Sequence, residues 1–192
     1  MRELLEQRDL RRVVLVAAGS GVTDVAAYVD QFGTDRIAGF VLVHGVAGAD
    51  YDSDTALTLV RWAQRFQTDR RAQTEALVRS LFESSPPAEE EIRRLTDGAM
   101  KMPTSAAMAT FLGSMAADYR SALTKIDKPT LIVVGESRWQ DQYEVMSRSI
   151  KGSRLEKVKG AGHGLYIEAA GTFNRLLAEF ARDLDSHSLP SR

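Results

Sequence analysis

Val13, Val14, Leu15 and Val16 form an unbroken apolar run. Five small residues follow, Ala17-Ala18-Gly19-Ser20-Gly21, and then Val22, Val25, Ala26 and Val29 recur at helical spacing until Phe32-Gly33. This pattern predicts a strand buried on both faces, a tight turn and a helix. A second apolar run, Ile37 to Val43, completes a parallel βαβ unit. Met1–Leu10 reads as a short helix ahead of the first strand. Residues 54–127 read as mostly helical. One apolar stripe there is Leu59, Trp62, Ala63 and Phe66, and a second is Leu77, Val78, Leu81 and Phe82. Further helices are predicted from Ala88, after Ser84-Ser85-Pro86-Pro87, and over Ser105–Tyr119, after Lys101-Met102-Pro103-Thr104. Leu131–Val134 and Arg154–Val158 are the third and fourth strands, with a helix over Gln142–Lys151 between them. A last helix carries Phe173, Leu176, Leu177, Phe180 and Leu184 on one face, and the tail from Ser186 is polar.

The expected fold class is therefore α/β: a short, mostly parallel sheet with helices on both faces, in one domain over residues 1–192. A chain of 192 residues is long enough for such a core, and 44% hydrophobic with 27% charged residues is the balance of an ordinary globule. Net charge is −1, so no basic footprint for nucleic acid or an anionic membrane is present. No apolar run approaches a membrane span, and the polar N-terminus does not read as a signal peptide, so a cytoplasmic protein is expected. There is no cysteine, which excludes disulfides, thiol catalysis and thiolate metal sites. His44, His163 and His187 with scattered acids make a weak case for a metal, and no metal or other cofactor is expected. A small-molecule substrate or ligand is the expected partner.

A strand, a turn of small residues and a helix serve two chemistries. One is anion binding at the helix N-terminus. The dinucleotide fingerprint, however, needs a third glycine at position 24, where Asp24 stands and would repel a pyrophosphate. The other is the nucleophile elbow, G-x-S-x-G. The frame Ala17-x-Gly19-x-Gly21 puts Gly19 at the nucleophile position. A frame centred on Ser20 would put the β-branched Val22 where the helix packs closest.

Here the chain resembles the α/β-hydrolase family, in particular its cofactor-free haloperoxidase, perhydrolase and aryl-esterase branch. That branch has V-G-x-S-x-G-G followed by a helix ending near Y-V-x-x-x-G-T-x-R-V. Tyr28-Val29 and Phe32-Gly33-Thr34-Asp35-Arg36-Ile37 keep the spacing and put Gly19 where the family has serine. The resemblance implies a fold lacking the early strands, with a helical cap over residues 51–127. It also implies that Gly160-Ala161-Gly162-His163-Gly164 is the loop of the catalytic histidine. His163 is then the base, because a group titrating near neutrality can take and return a proton. Ser20 is either a displaced nucleophile or, through its N–H, the oxyanion donor beside Gly19 and Gly21, and a helix-capping role remains the structural alternative. The family's aspartate would fall at Arg138, which leaves Asp141 or Glu136 to orient His163. His44, Arg138 and Trp139 are candidate pocket residues, and Met100, Met102, Met108 and Met115 are filler or a pocket wall.

Two functions follow as expectations. One is a hydrolase of carboxylic esters or related acyl compounds with an altered triad and weak activity. The other is a non-catalytic protein of that fold serving ligand binding or assembly. About ten residues precede Val13, too few for a helix and another sheet strand besides. The apolar edge of the first strand carries no charge to block pairing, so a homodimer through that edge is expected.

Overall fold

A computed structural model describes residues 1–50, 52–82 and 85–186. After a short helix α1 (Arg2–Gln7) come β1 (Val13–Ala18), α2 (Gly21–Phe32) and β2 (Ile37–Val43). Then follow four helices, α3 (Ser53–Thr68), α4 (Arg70–Ser80), α5 (Glu89–Met100) and α6 (Thr104–Ala116), and a 3-10 turn, Arg120–Lys125. The chain re-enters the sheet as β3 (Thr130–Val134), continues through α7 (Gln140–Ser149) to β4 (Arg154–Lys157), and ends in α8 (Leu165–Glu168) and α9 (Ala170–Ser186). The strands lie in the order β1-β2-β3-β4 and every pairing is parallel. All four carboxyl ends therefore open on one edge, where α/β sheets hold their ligands.

Period-2 alternation divides the core. Phe40, Leu42, Ile132 and Val134 face α2 and α7, against Val22, Val25, Val29, Tyr143 and Met146. Val41, Val43, Leu131 and Val133 face α9, against Leu176, Phe180 and Leu184. The predicted helical stripes of α2 and α9 are the faces that pack.

One expectation about the sheet is corrected. The run Val13–Val16 is not buried on both faces: Val14 is 37% and Val16 53% exposed. β1 is the edge strand, and α9 packs over β2 rather than over β1. An apolar run reports what a strand could bury, while its place in the sheet decides what it does bury. The opposite edge, β4, reads Arg-Leu-Glu-Lys and carries the charges that discourage pairing.

The helices between β2 and β3 pack in two small groups. Ala63, Phe66 and Met108 form one, with Trp62 beside them. Val78, Phe82 and Ile92 form the other, which joins the end of α4 to α5. The predicted helix break at Ser84 lies outside the described residues, as do His187 and the tail beyond Ser186.

Candidate functional site

The turn between β1 and α2 has the backbone of an elbow centred on Gly19. Gly19 has φ +55°, a left-handed conformation that a side chain disfavours. Its N–H donates to Val43 O at 3.0 Å and its carbonyl accepts from Val22 N–H at 3.1 Å, so the tip is tied to β2 and to the helix start. Ser20 precedes α2 with φ −61° and ψ −20°, is exposed, and makes no side-chain capping bond. The first N–H groups of a helix lack partners within it, and at this turn they lie beside the elbow tip.

His163 stands directly over that tip. A Cβ at position 19 would lie 3.0 Å from His163 Nε2 and 3.3 Å from Cε1. The loop that carries the imidazole is held by its backbone. Gly162 N–H donates to Glu168 Oε2 at 2.6 Å, Gly160 N–H to Glu136 Oε1 at 2.9 Å, and Gly164 N–H to the Leu81 carbonyl at the end of α4. Glu136 N–H in turn donates to Ala161 O at 2.7 Å. Gly135 is required here because a Cβ would fall 2.2 Å from Ala161 O, so the two loops touch backbone to backbone. Burial lowers the His163 pKa, which keeps the ring neutral and able to accept a proton.

His44, at the carboxyl end of β2, is an aromatic neighbour of that ring, with centroids 4.7 Å apart at an edge-to-face angle of 67°. It is only 6% exposed and sits at φ +44°. Its Nδ1 accepts Gly135 N–H at 3.0 Å, its own N–H donates to Val133 O at 2.9 Å, and its ring also lies 5.3 Å from that of Tyr143. Desolvation, and then the nearby His163, lower its pKa to about 4, so it too is neutral. Because Nδ1 is the acceptor, the ring proton is on Nε2.

The structure thus brings Gly19, Ser20, Gly21, His163 and His44 together. It does not bring the candidate acids to the imidazole in the same way. Glu136 is exposed and its carboxylate is engaged by Gly160 N–H. Asp141 was expected in a loop but lies exposed in the first turn of α7, because that helix begins at Gln140 rather than Gln142. Arg138 is exposed and lies over the Trp139 ring at 5.0 Å, with its charge also felt by Asp52, which caps α3. Trp139 is half-buried against the α2–α7 core. Sequence reasoning missed Glu168, whose carboxylate clamps the histidine loop from α8. An acid five residues after His163 was the available signal. Among the described residues no group of three or more histidines and acids is placed to hold a metal. No helix among them is long and apolar enough to cross a membrane.

A parallel sheet with an elbow after one strand and a histidine loop after the last is the arrangement of the α/β-hydrolases. No family profile matches the chain. It is 27% identical over 165 residues to the pimeloyl-[acyl-carrier protein] methyl ester esterase of Neisseria meningitidis, covering 81% of this chain and 53% of that protein. The solved bromoperoxidase of Bacillus anthracis superposes with a TM-score of 0.86 at 26% identity, over 94% of this chain and 71% of that one. An esterase from Exiguobacterium antarcticum gives 0.87 at 21% identity, over 94% and 70%. The chain thus spans about half the length of the curated esterase it matches. Its relatives and structural neighbours are α/β-hydrolases, and their fold is its fold.

Proposed function

We propose that the chain is a hydrolase of carboxylic esters or related acyl compounds that works with an altered triad. The observation that carries this reading is the placement of His163 Nε2 over the elbow tip, 3.0 Å from where a Cβ at position 19 would stand. His163 is the general base, and the N–H groups at the start of α2, Ser20's among them, face the charge that develops on the carbonyl oxygen. The esterase and haloperoxidase relatives support the same class. Turnover is weak, because the orienting carboxylate is displaced or lacking and position 19 has no hydroxyl. The test is hydrolysis of a small aryl ester by the chain beside His163→Ala. A loss on the order of 100-fold is expected, and equal rates would end the reading.

The second reading, a non-catalytic protein of this fold, is favoured by the glycine at position 19 and the arginine at 138. The exposed Val14 and Val16 suggest assembly of two copies through β1. Sedimentation at micromolar concentration tests that pairing: a species of twice the 21.2 kDa chain is expected, and a persistent 21.2 kDa monomer would sink the dimer.

A further inference from the structure

Position 19 carries no hydroxyl, and the ring above it stands closer than a serine would comfortably permit. At 3.0 Å from the ideal Cβ, Nε2 would have to withdraw by a few tenths of an ångström to admit any side chain. Ser20 has already entered helical backbone geometry, one residue past the tip. The imidazole is half-buried, not sealed, so solvent reaches it. Its ring neighbour is the uncharged His44, Glu136 is engaged by Gly160 N–H, and Asp141 is exposed on α7.

We propose that the attacking oxygen is that of water, activated by His163 without an acyl-enzyme, and that the substrates are acyl compounds with good leaving groups, aryl esters or thioesters. This rests on the hydrolase reading above. Water's oxygen bonds to the carbonyl carbon while Nε2 takes one of its protons, and the carbonyl electron pair moves onto oxygen toward the helix N–H groups. The intermediate then collapses. The bond to the leaving group breaks, and the imidazolium returns its proton to that group, leaving the carboxylic acid, a phenol or a thiol, and neutral His163.

The leaving-group limit follows from the surroundings of the ring. A carboxylate at a triad histidine stabilises the imidazolium that forms. The uncharged, buried His44 beside it does not, and burial already disfavours the charged His163 ring. A phenol, with a pKa of about 10, departs with little help from an acid. An alkoxide, whose conjugate acid is comparable to bulk water at about 15.7, needs a full proton transfer.

The experiment follows substituted phenyl acetates and an alkyl acetate by stopped flow, with the intact protein mass recorded during turnover and free imidazole as comparator. Expected are linear release from the first turnover, an unchanged protein mass, rates that fall with rising leaving-group pKa, and no alkyl turnover. His163→Ala should lose on the order of 100-fold. Gly19→Ser should gain a burst and an acyl adduct at position 19. A burst in the unmodified chain with an adduct on Ser20, or alkyl esters cleaved as fast as aryl ones, would overturn water as nucleophile and leave the hydrolase reading standing. Turnover indifferent to His163 would overturn both.

Discussion

In β2 and β3 every residue from Phe40 to Val43 and from Thr130 to Val134 is buried, whereas the described stretch from α3 to α6 buries its apolar side chains in two groups of three. The sheet is held by apolar contact on both faces. The helices between β2 and β3 are held largely by polar links at their surface. Arg79 bonds both Glu75 and Glu89, Arg71 bonds Asp97, and Arg70 donates to Ala99 O and Met102 O at 3.0 and 3.1 Å. The two regions meet at the histidine loop, where the Leu81 carbonyl accepts Gly164 N–H. His163 is fixed by the stiff region and bordered by the soft one. Such a division lets an approach to a site adjust while its chemistry keeps its geometry.

The sharpest way to break this contrast is in the core. Phe40→Ala, at a fully buried position, should lower global stability by about 3–5 kcal/mol in urea unfolding. Phe66→Ala, in the three-residue group of α3 and α6, should open those helices locally while sheet amides keep their protection from exchange. Equal global losses would show that the two regions unfold as one.

The next effect is one of pH. The folded-state pKa of His44 is about 4 and that of His163 is also lowered, while the unfolded chain titrates near 6.5. Between those values the unfolded state binds more protons, so stability is full above pH 6.5 and declines as pH falls toward 4. Urea midpoints at pH 7.5 and 5 should show the decline. His44→Asn should flatten it, since asparagine tolerates φ +44° and can accept from Gly135 N–H.

Smaller effects sharpen the contrast from the other side. Arg70→Ala removes a guanidinium that bonds two carbonyls and Thr104 and lies 4.7 Å over Phe66. It should cost about 1–3 kcal/mol, read as faster exchange in α5 and α6 only. Arg79→Ala removes exposed, solvent-screened ion pairs and should leave the urea midpoint nearly unchanged, with any difference vanishing in high salt.

Much of this was legible in the chain. The bounds of β2 were read correctly from Ile37–Val43, because its apolar run is flanked by Arg36 and His44. Gly19 was read as the elbow tip from small-residue spacing, and its backbone at that turn is left-handed. The exposure of Val14 and Val16 was hidden, because it depends on which helix covers which strand. The start of α7 was misplaced by two residues, and with it Asp141. His44 was named only as a pocket candidate. Its bond to Gly135 spans 91 positions, and no local pattern encodes such a contact.

The two edges of the sheet differ, and the difference sets how far association could run. β4 ends the sheet with Arg154, Glu156 and Lys157, while β1 offers Val14 and Val16. A molecule with two receptive edges can add copies at both and grow without limit. A molecule with one can only meet its like across a two-fold axis, and the reaction is then finished. The charges on β4 are in that sense a terminator: were two copies to pair through β1, they would deny the pair any place to continue.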